Sequence, residues 1–397
     1  MAYSRREFVR RLGAGGAVAA SAFHVIGYGR EELSAFAGDE QAQRGARRAQ
    51  GEAEVRISSN ENLRGPSPKV IDVLKQHPSK NLGLGYPPPN VRSFQEYIAT
   101  MYGAQPGNVI TATGSDAILT AAVMAYASAD RPVVSADPSY GTPVGTARRM
   151  NFPVKAVPVD SALRIDLDAL VAASTGAGLV FICNPNNPTS TVHTLADVEQ
   201  AVRKIKQRSP DTGILIDEAY IDYVTAPGVG STAKLAMELP GVFMARTFSK
   251  AFGMAGMRIG YAIGQPETMS KVSRAWGLGS LGDLQAVAGL AALKDTTHME
   301  WERSENKRIR DWTLGQFKAM GYDAPDSQTN FVFINIRKPA AGFRDACRAQ
   351  GIAIGRDFPP MEKTHARISL GTMEDMQRAM TVFKQVLGSE STGRSGR

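Results

Sequence analysis

The chain has 397 residues, 43% hydrophobic and 21% charged, with a formal net charge of +8, which supplies a large core in one big or two ordinary domains. Its basic residues are scattered apart from Arg44, Arg47 and Arg48, with no zinc spacing and no dense basic helix, which argues against nucleic-acid binding. No apolar run is long enough to span a membrane, and two cysteines, Cys183 and Cys347, make no disulfide framework.

The first residues read as an address rather than as fold. "SRREFVRR" at 4–11 is followed by the Gly- and Ala-rich run "LGAGGAVAASAF", and "AFA" at 35–37 has the small-x-small form of a cleavage site. Paired Arg5 and Arg6, with Ser4 before and Phe8 after, resemble the twin-arginine (Tat) export signal. A basic amphipathic leader without consequence is the plainer alternative. The resemblance implies a signal peptide over 1–37, a chain exported already folded by the Tat machinery to a periplasmic or extracytoplasmic location, and no stable membrane anchor. Residues 38–65 read as a polar N-terminal arm.

From about 110 to 265, apolar β-rich runs alternate with helical patterns. The runs are "NVITAT" (108–113), "RPVVSAD" (131–137), "VKAVPVD" (154–160), "GLVFICNP" (178–185), "GILIDEAY" (213–220), "GVFMART" (241–247) and "IGYAIG" (259–264). Runs apolar on both faces and separated by helices indicate a parallel sheet in an α/β domain. Residues 281–320 read as helix, and "TNFVFINI", "FRDACRAQG", "ARISLGT" and "EDMQRAMTVFKQVLG" read β-α-β-α. This divides the chain into a large domain over 66–290, a small domain over 291–388 and a disordered tail over 389–397.

The polar residues of interest in the large domain fall at strand C-terminal ends, the edge where open α/β sheets bind ligands. Asp217 ends an apolar strand, where a carboxylate needs a cation or several donors; its plainer reading is a strand-end cap for the next helix. "NPNNPTS" brings Asn184, Asn186 and Asn187 between prolines, or is simply a turn. Gly114, Ser115 and Asp116 lie between a strand and a helix, where free backbone N–H groups form an anion site, unless Ser115 merely caps the helix. Tyr140 follows a strand in "ADPSYG". Lys250 stands among small and apolar residues in "RTFSKAFGMAGMRIG", with Thr247 and Ser249 before it and Arg258 after it.

Taken in order, the motifs "SSNENLRGPSP", "GSDAIL", "DPSYG", "NPNNPT", "DEAY", "RTFSKAFGMAGMRIG" and "ARISLGT" resemble the fold-type I pyridoxal-phosphate enzymes, and among them the histidinol-phosphate aminotransferase-like branch of the class I/II aminotransferases. The likeness runs over roughly residues 55–387. It implies the α/β fold of the aspartate aminotransferase-like pyridoxal-phosphate-dependent transferases: a large domain with a mostly parallel seven-stranded sheet and a smaller α+β C-terminal domain. It implies pyridoxal 5'-phosphate as cofactor, an amino acid and a 2-oxo acid as small-molecule partners, and a homodimer. By resemblance, Lys250 forms the internal aldimine and then serves as the base at the α-carbon. Asp217 faces the pyridine nitrogen, Asn187 and Tyr220 reach the ring's 3-oxygen, and Tyr140 stacks on the ring. The amides at Gly114, Ser115 and Asp116, with Thr247, Ser249 and Arg258, hold the phosphate. Arg367 clamps the substrate carboxylate with Asn330 in support, and Arg356 and Arg64 are candidate substrate contacts. No metal site is implied.

Two positions depart from the family pattern. Leu63-Arg64 replaces its usual Pro-Tyr, and Ser190 stands where it usually has Gly. Other chemistries share the scaffold: an oxygen-using amino-acid oxidase, a decarboxylase or a racemase. A protein that binds the cofactor without turnover belongs to another class again, and retention of Lys250, Asp217 and Arg367 together argues against it.

Overall fold

The computed structural model describes residues 54–78 and 85–388. The leader with Arg5 and Arg6, the arm as far as residue 53 and the tail 389–397 lie outside the described residues. Strand β1 (Val55–Ile57) and helices α1 (Pro68–Gln76) and α2 (Pro89–Met101) lead into a seven-stranded sheet. Its strands are β2 (Val109–Ala112), β3 (Val133–Asp137), β4 (Val154–Pro158), β5 (Leu179–Cys183), β6 (Gly213–Asp217), β7 (Val242–Thr247) and β8 (Gly260–Gly264). They lie in the order β2-β8-β7-β6-β5-β3-β4, with β8 alone running against its neighbours. Each of the seven runs read from the sequence contains one of these strands.

Every position of β5 and β6 is buried, and alternate residues serve opposite faces. Val180, Ile182, Ile214 and Ile216 join one core with Phe94 and Ile98 of α2 and with Val198, Val202 and Ile205 of α6 (Leu195–Arg208). Leu179, Phe181, Cys183 and Leu215 join the other, covered by Ile118 and Leu119 of α3 (Ser115–Tyr126), Ala147 of α4 (Thr142–Arg149) and Met269 of the segment after β8. Helices α5 (Leu167–Ala173) and α7 (Ala233–Glu238) complete the crossovers. Chain reversal at β8 returns the residues just before it, including Arg258, to the edge where β5, β6 and β7 end.

Beyond β8, α8 (Pro266–Ala275) is followed by two helices where the sequence suggests one. These are α9 (Asp283–Lys294) and α10 (Thr296–Ala319), separated at Asp295. Asp295 leaves helical geometry at φ −96°, ψ 68°, and its carboxylate takes hydrogen bonds from the Ser67 hydroxyl and, at 2.7 Å, from Lys69. A break there lets the acidic side chain tie the N-terminal end of α1, an interaction that no local pattern reveals.

The C-terminal part holds β9 (Phe331–Asn335), α11 (Ala340–Ala349), β10 (Ile352–Ile354), β11 (His365–Ser369) and α12 (Met373–Gly388). Strand β9 pairs antiparallel with β11. Strand β10 pairs in parallel with β1, Val55 opposite Ile352. Residues 55–57, read from sequence as arm, thus put Val55 and Ile57 into the C-terminal core beside Ile309, Phe317, Phe343 and Phe383. Among the described residues no helix is long and apolar enough to cross a membrane.

Candidate active site

The Lys250 amine and the Asp217 carboxyl stand at the same strand-end edge, each within reach of the other's charge and each desolvated. Asp217 is the buried last residue of β6, and its carboxylate accepts the Ala219 N–H at 3.1 Å. No cationic side chain among the described residues bonds it, and burial pushes its carboxyl up to about 7. Lys250 follows β7 in a turn, half-buried, with Nζ 3.4 Å from the Ser59 carbonyl oxygen and 5.7 Å from the centre of the Tyr220 ring. Burial, then the Arg367 charge, brings its ammonium down to about 8, partly opposed by Asp116, Glu61 and Asp217. A lysine so placed has a sizeable neutral fraction near neutral pH, which a base or nucleophile needs.

A cradle of donors lies beside this pair. Helix α3 starts at Ser115 after Gly114, which sits at φ 89°, and no side chain caps it. The capping role open to Ser115 in the sequence is therefore not taken, and the first-turn N–H groups of α3 remain without a side-chain acceptor. Arg258 lies over Gly114, where a Cβ would be 2.4 Å from the movable Nη2, and it is the backbone at φ 89°, ψ 153° that reserves the position for glycine. Its Nη1 donates to Ser249 Oγ at 3.3 Å, and Nη2 lies 3.6 Å from Asp116 Oδ2. Thr247 Oγ1 accepts the Ser249 N–H at 3.1 Å. The Tyr140 hydroxyl donates to Asp116 Oδ1 at 2.8 Å, and burial, then the Asp116 charge, keeps that phenol protonated.

The third group is a ring of buried polar side chains. Arg367 on β11 donates from Nη1 to Asn187 Oδ1 at 2.9 Å and from Nη2 to the Ser58 carbonyl at 2.7 Å. Its Nε is buried with no partner, and burial lowers its guanidinium to about 10. Asn187 Nδ2 donates to the Tyr220 hydroxyl at 3.3 Å, and Asn60 Nδ2 donates to the same oxygen at 3.1 Å. Asn330 Nδ2 donates to the Asn60 carbonyl at 3.1 Å, while its own Oδ1 is buried and unpartnered.

Of the two remaining candidates, Arg356 reaches this group through a shared ring. Its guanidinium lies 4.4 Å from the centre of Phe358, and that of Arg367 lies 4.6 Å from the same centre. Arg356 is exposed, and its side chain bonds the Asp357 carbonyl at 3.0 Å. Arg64 is instead committed inside the chain. Its guanidinium makes a two-pronged pair with the fully buried Glu302 of α10, with Nε 2.8 Å from Oε2 and Nη2 on Oε1, and Nη1 donates to the Gly371 carbonyl at 3.2 Å. A guanidinium holding three internal acceptors has little left for a substrate.

A lysine, a buried acid and a helix-start cradle along one sheet edge, with a buried arginine of β11 bonded to Asn187 beside them, agree with a family comparison. The model for aminotransferase class I and II matches residues 53–383. The chain belongs to that family. A histidinol-phosphate aminotransferase of Symbiobacterium thermophilum is 32% identical over 335 residues, spanning 84% of this chain and 91% of the relative. The crystal structure of the histidinol-phosphate aminotransferase of Sinorhizobium meliloti, in complex with pyridoxal-5'-phosphate, superposes with a TM-score of 0.78 at 26% identity. It covers 86% of this chain and 93% of that one. Aspartate aminotransferase from Thermotoga maritima shares the fold, with a TM-score of 0.75 at 19% identity over 88% and 96% of the two chains.

Several groups of this aminotransferase's candidate site carry no signal in the local sequence: Asn60, Ser369, Phe358 and the backbone carbonyls of Ser58 and Ser59. The stretch "SSNEN" and the serine of "ARISLGT" were in view as motifs, but nothing local says that they meet. The departure at Ser190 gains a physical meaning. Its backbone sits at φ 65°, in the left-handed region that favours glycine.

Proposed function

We propose that this aminotransferase moves an amino group between an amino acid with an anionic side chain and a 2-oxo acid, using pyridoxal phosphate bound at the strand-end edge. The observation that carries the reading is the convergence of the Lys250 amine and the uncompensated Asp217 carboxyl beside a helix start that no side chain caps. The residues present suit the cofactor. The α3 amides, Thr247, Ser249 and Arg258 suit a phosphate dianion. Asp217 lacks a cation that a protonated ring nitrogen provides. Lys250 suits the aldehyde carbon, and the Tyr220 hydroxyl suits a ring oxygen.

Bound there, pyridoxal phosphate supplies an electron-poor ring that accepts the electrons left when the substrate's α-proton departs. The chain's own groups do the rest. Asp217 holds its charge against the ring nitrogen. Tyr140, held by Asp116, would cover a ring face. The Arg367 guanidinium, with Nε still free to donate, receives the substrate carboxylate, and Asn330 supports it from beside Asn60. Lys250 Nζ takes the α-proton, with a basicity close to ambient pH. Arg356, standing at the shared Phe358 ring, favours an acidic or phosphorylated far end of the substrate. The similarity to histidinol-phosphate aminotransferases supports such a preference.

The test is 2-oxo acid formation from a panel of amino acids, with and without an added 2-oxo acid acceptor, while oxygen is followed. Acceptor-dependent product without oxygen uptake is expected. Product formed without an acceptor and with oxygen consumed would mean an oxidase on the same scaffold.

The proposal extends to assembly and location. A homodimer is expected by sedimentation of the cofactor-loaded protein. The Arg5-Arg6 pair directs the folded chain outward through the Tat route to a periplasmic or extracytoplasmic site. Replacing both with Lys leaves it in the cytoplasm, and unchanged export overturns this part.

A further inference from the structure

Asn60 lies in none of the roles assigned above, yet it is among the most buried polar residues of the site, at 1% exposure. It takes a left-handed backbone conformation, φ 55°, which Asn adopts more readily than most residues. Three contacts hold it there. Its backbone N–H donates to Ser369 Oγ at 2.9 Å, Ser369 Oγ donates back to Asn60 Oδ1 at 2.6 Å, and Asn330 Nδ2 donates to its carbonyl. Asn60 Nδ2 donates to the Tyr220 hydroxyl.

The orientations of both amides around Tyr220 are fixed by what their other ends meet. A guanidinium has no acceptor, so the Asn187 atom facing Arg367 is its oxygen, and the Asn187 NH₂ must face Tyr220. Backbone N–H only donates, so Ser369 Oγ accepts from Asn60 N, and its 2.6 Å separation from the Asn60 amide suits an O–H···O bond rather than a longer N–H···O one, which places Oδ1 on that side as the acceptor of the Ser369 proton. The Asn60 NH₂ is thereby turned to Tyr220. Both amides therefore donate to one phenol oxygen. That uses the acceptor capacity of the hydroxyl and leaves its proton with no acceptor in either amide.

We propose that Asn60 is a positioning residue that, together with Asn187, aims the Tyr220 proton away from the protein and toward the cofactor's ring oxygen. The circuit closes on itself: Arg367 to Asn187, Asn187 to Tyr220, Asn60 to Tyr220, Ser369 to Asn60, with Ser369 and Arg367 two residues apart on β11. The strand that carries the carboxylate-binding arginine thus also sets the donor that holds the cofactor oxygen. Burial, the largest influence, keeps the phenol protonated well above its usual range, so it acts as a donor at working pH. The other charged and titratable groups around it are Arg367, Lys250, Asp217, Cys183, Tyr140 and Tyr223. None of these takes a hydrogen bond from its hydroxyl.

This inference rests on the reading that Tyr220 faces the cofactor, and the experiment separates the two. Asn60→Asp keeps the size and the acceptor for Ser369, but sets a carboxylate where an NH₂ stood. The Tyr220 proton then turns to it. The pH midpoint of the bound cofactor's visible absorbance, and the Kd for pyridoxal phosphate, are measured for the wild type, Tyr220→Phe, Asn60→Asp and Ser369→Ala. Loss of a donor to an anionic oxygen should raise the midpoint by about one pH unit in Tyr220→Phe and in Asn60→Asp. Ser369→Ala, which frees the Asn60 amide to turn, should shift it less and in the same direction. If Asn60→Asp does not fold, the Ser369→Ala midpoint decides. A wild-type midpoint in Asn60→Asp and Ser369→Ala, with Tyr220→Phe shifted, overturns the role of Asn60 while leaving that of Tyr220. A wild-type midpoint in Tyr220→Phe overturns both.

Discussion

Replacing Asp217 with Asn should stabilise the cofactor-free protein at high pH and weaken the cofactor-loaded one. The carboxyl is 2% exposed and among the described residues bonds only the Ala219 N–H, and burial raises it from the ordinary 3.8 to about 7. Between those values the folded chain holds a proton that the unfolded chain has released. Stability therefore falls as pH rises through that window, and the loss is complete above the folded value. The full difference is roughly three pH units, or about 4 kcal/mol as an upper figure. About 2 to 3 kcal/mol of it accrues between pH 5 and pH 8. Asn keeps the shape without the charge, so the stability difference between Asp217→Asn and wild type should grow by that amount over the window. Urea unfolding of both cofactor-free proteins at pH 5 and pH 8 measures it. With pyridoxal phosphate added, the ring nitrogen supplies the missing cation and the wild type becomes the more stable. A difference that does not change with pH would refute the claim that Asp217 is a carboxylate waiting for a partner.

Three further outcomes test other parts of the account. Arg64→Leu leaves the Glu302 charge buried and alone and should lower stability by about 3 to 5 kcal/mol; Arg64→Leu with Glu302→Leu should cost less than the single change, as urea unfolding would show. Ser190→Gly relieves a left-handed serine at φ 65°; set against the greater freedom of Gly when unfolded, a gain of about 0.5 kcal/mol is expected, read as a slightly higher Tm. Arg356→Ala should raise KM about tenfold for the best anionic substrate, equivalent to about 1.4 kcal/mol, and leave hydrophobic amino acids little affected. Indifference to Arg356 would make it a surface contact.

The seven strands of the central sheet were legible because each is a short, β-rich run, a signal carried by the strand's own residues even in the edge strand β4, where Val157 alone is buried. Strands β1 and β10 were not, since three residues each give no periodicity and their pairing joins Val55 to Ile352 across most of the chain. The break at Asp295 escaped for a similar reason, because its partners Ser67 and Lys69 come from another part of the sequence. In the site, the residues that ended apolar strands or sat in distinctive motifs stood out: Asp217, Asn187, Lys250 and Arg367. Arg64 looked like a spare cation because its partner Glu302 lies 238 residues away. Asn60 and Ser369 were passed over because what matters is the direction in which their amide and hydroxyl point, and direction is a property of the folded network.

Lys250 is proposed above as the residue that bonds the cofactor. Borohydride reduction of the cofactor-loaded protein, followed by peptide mapping, tests it directly. The reduced cofactor is expected on the peptide containing Lys250, with loss of that label together with turnover in a folded Lys250→Ala variant. A label carried by any other lysine would contradict the assignment of the whole site.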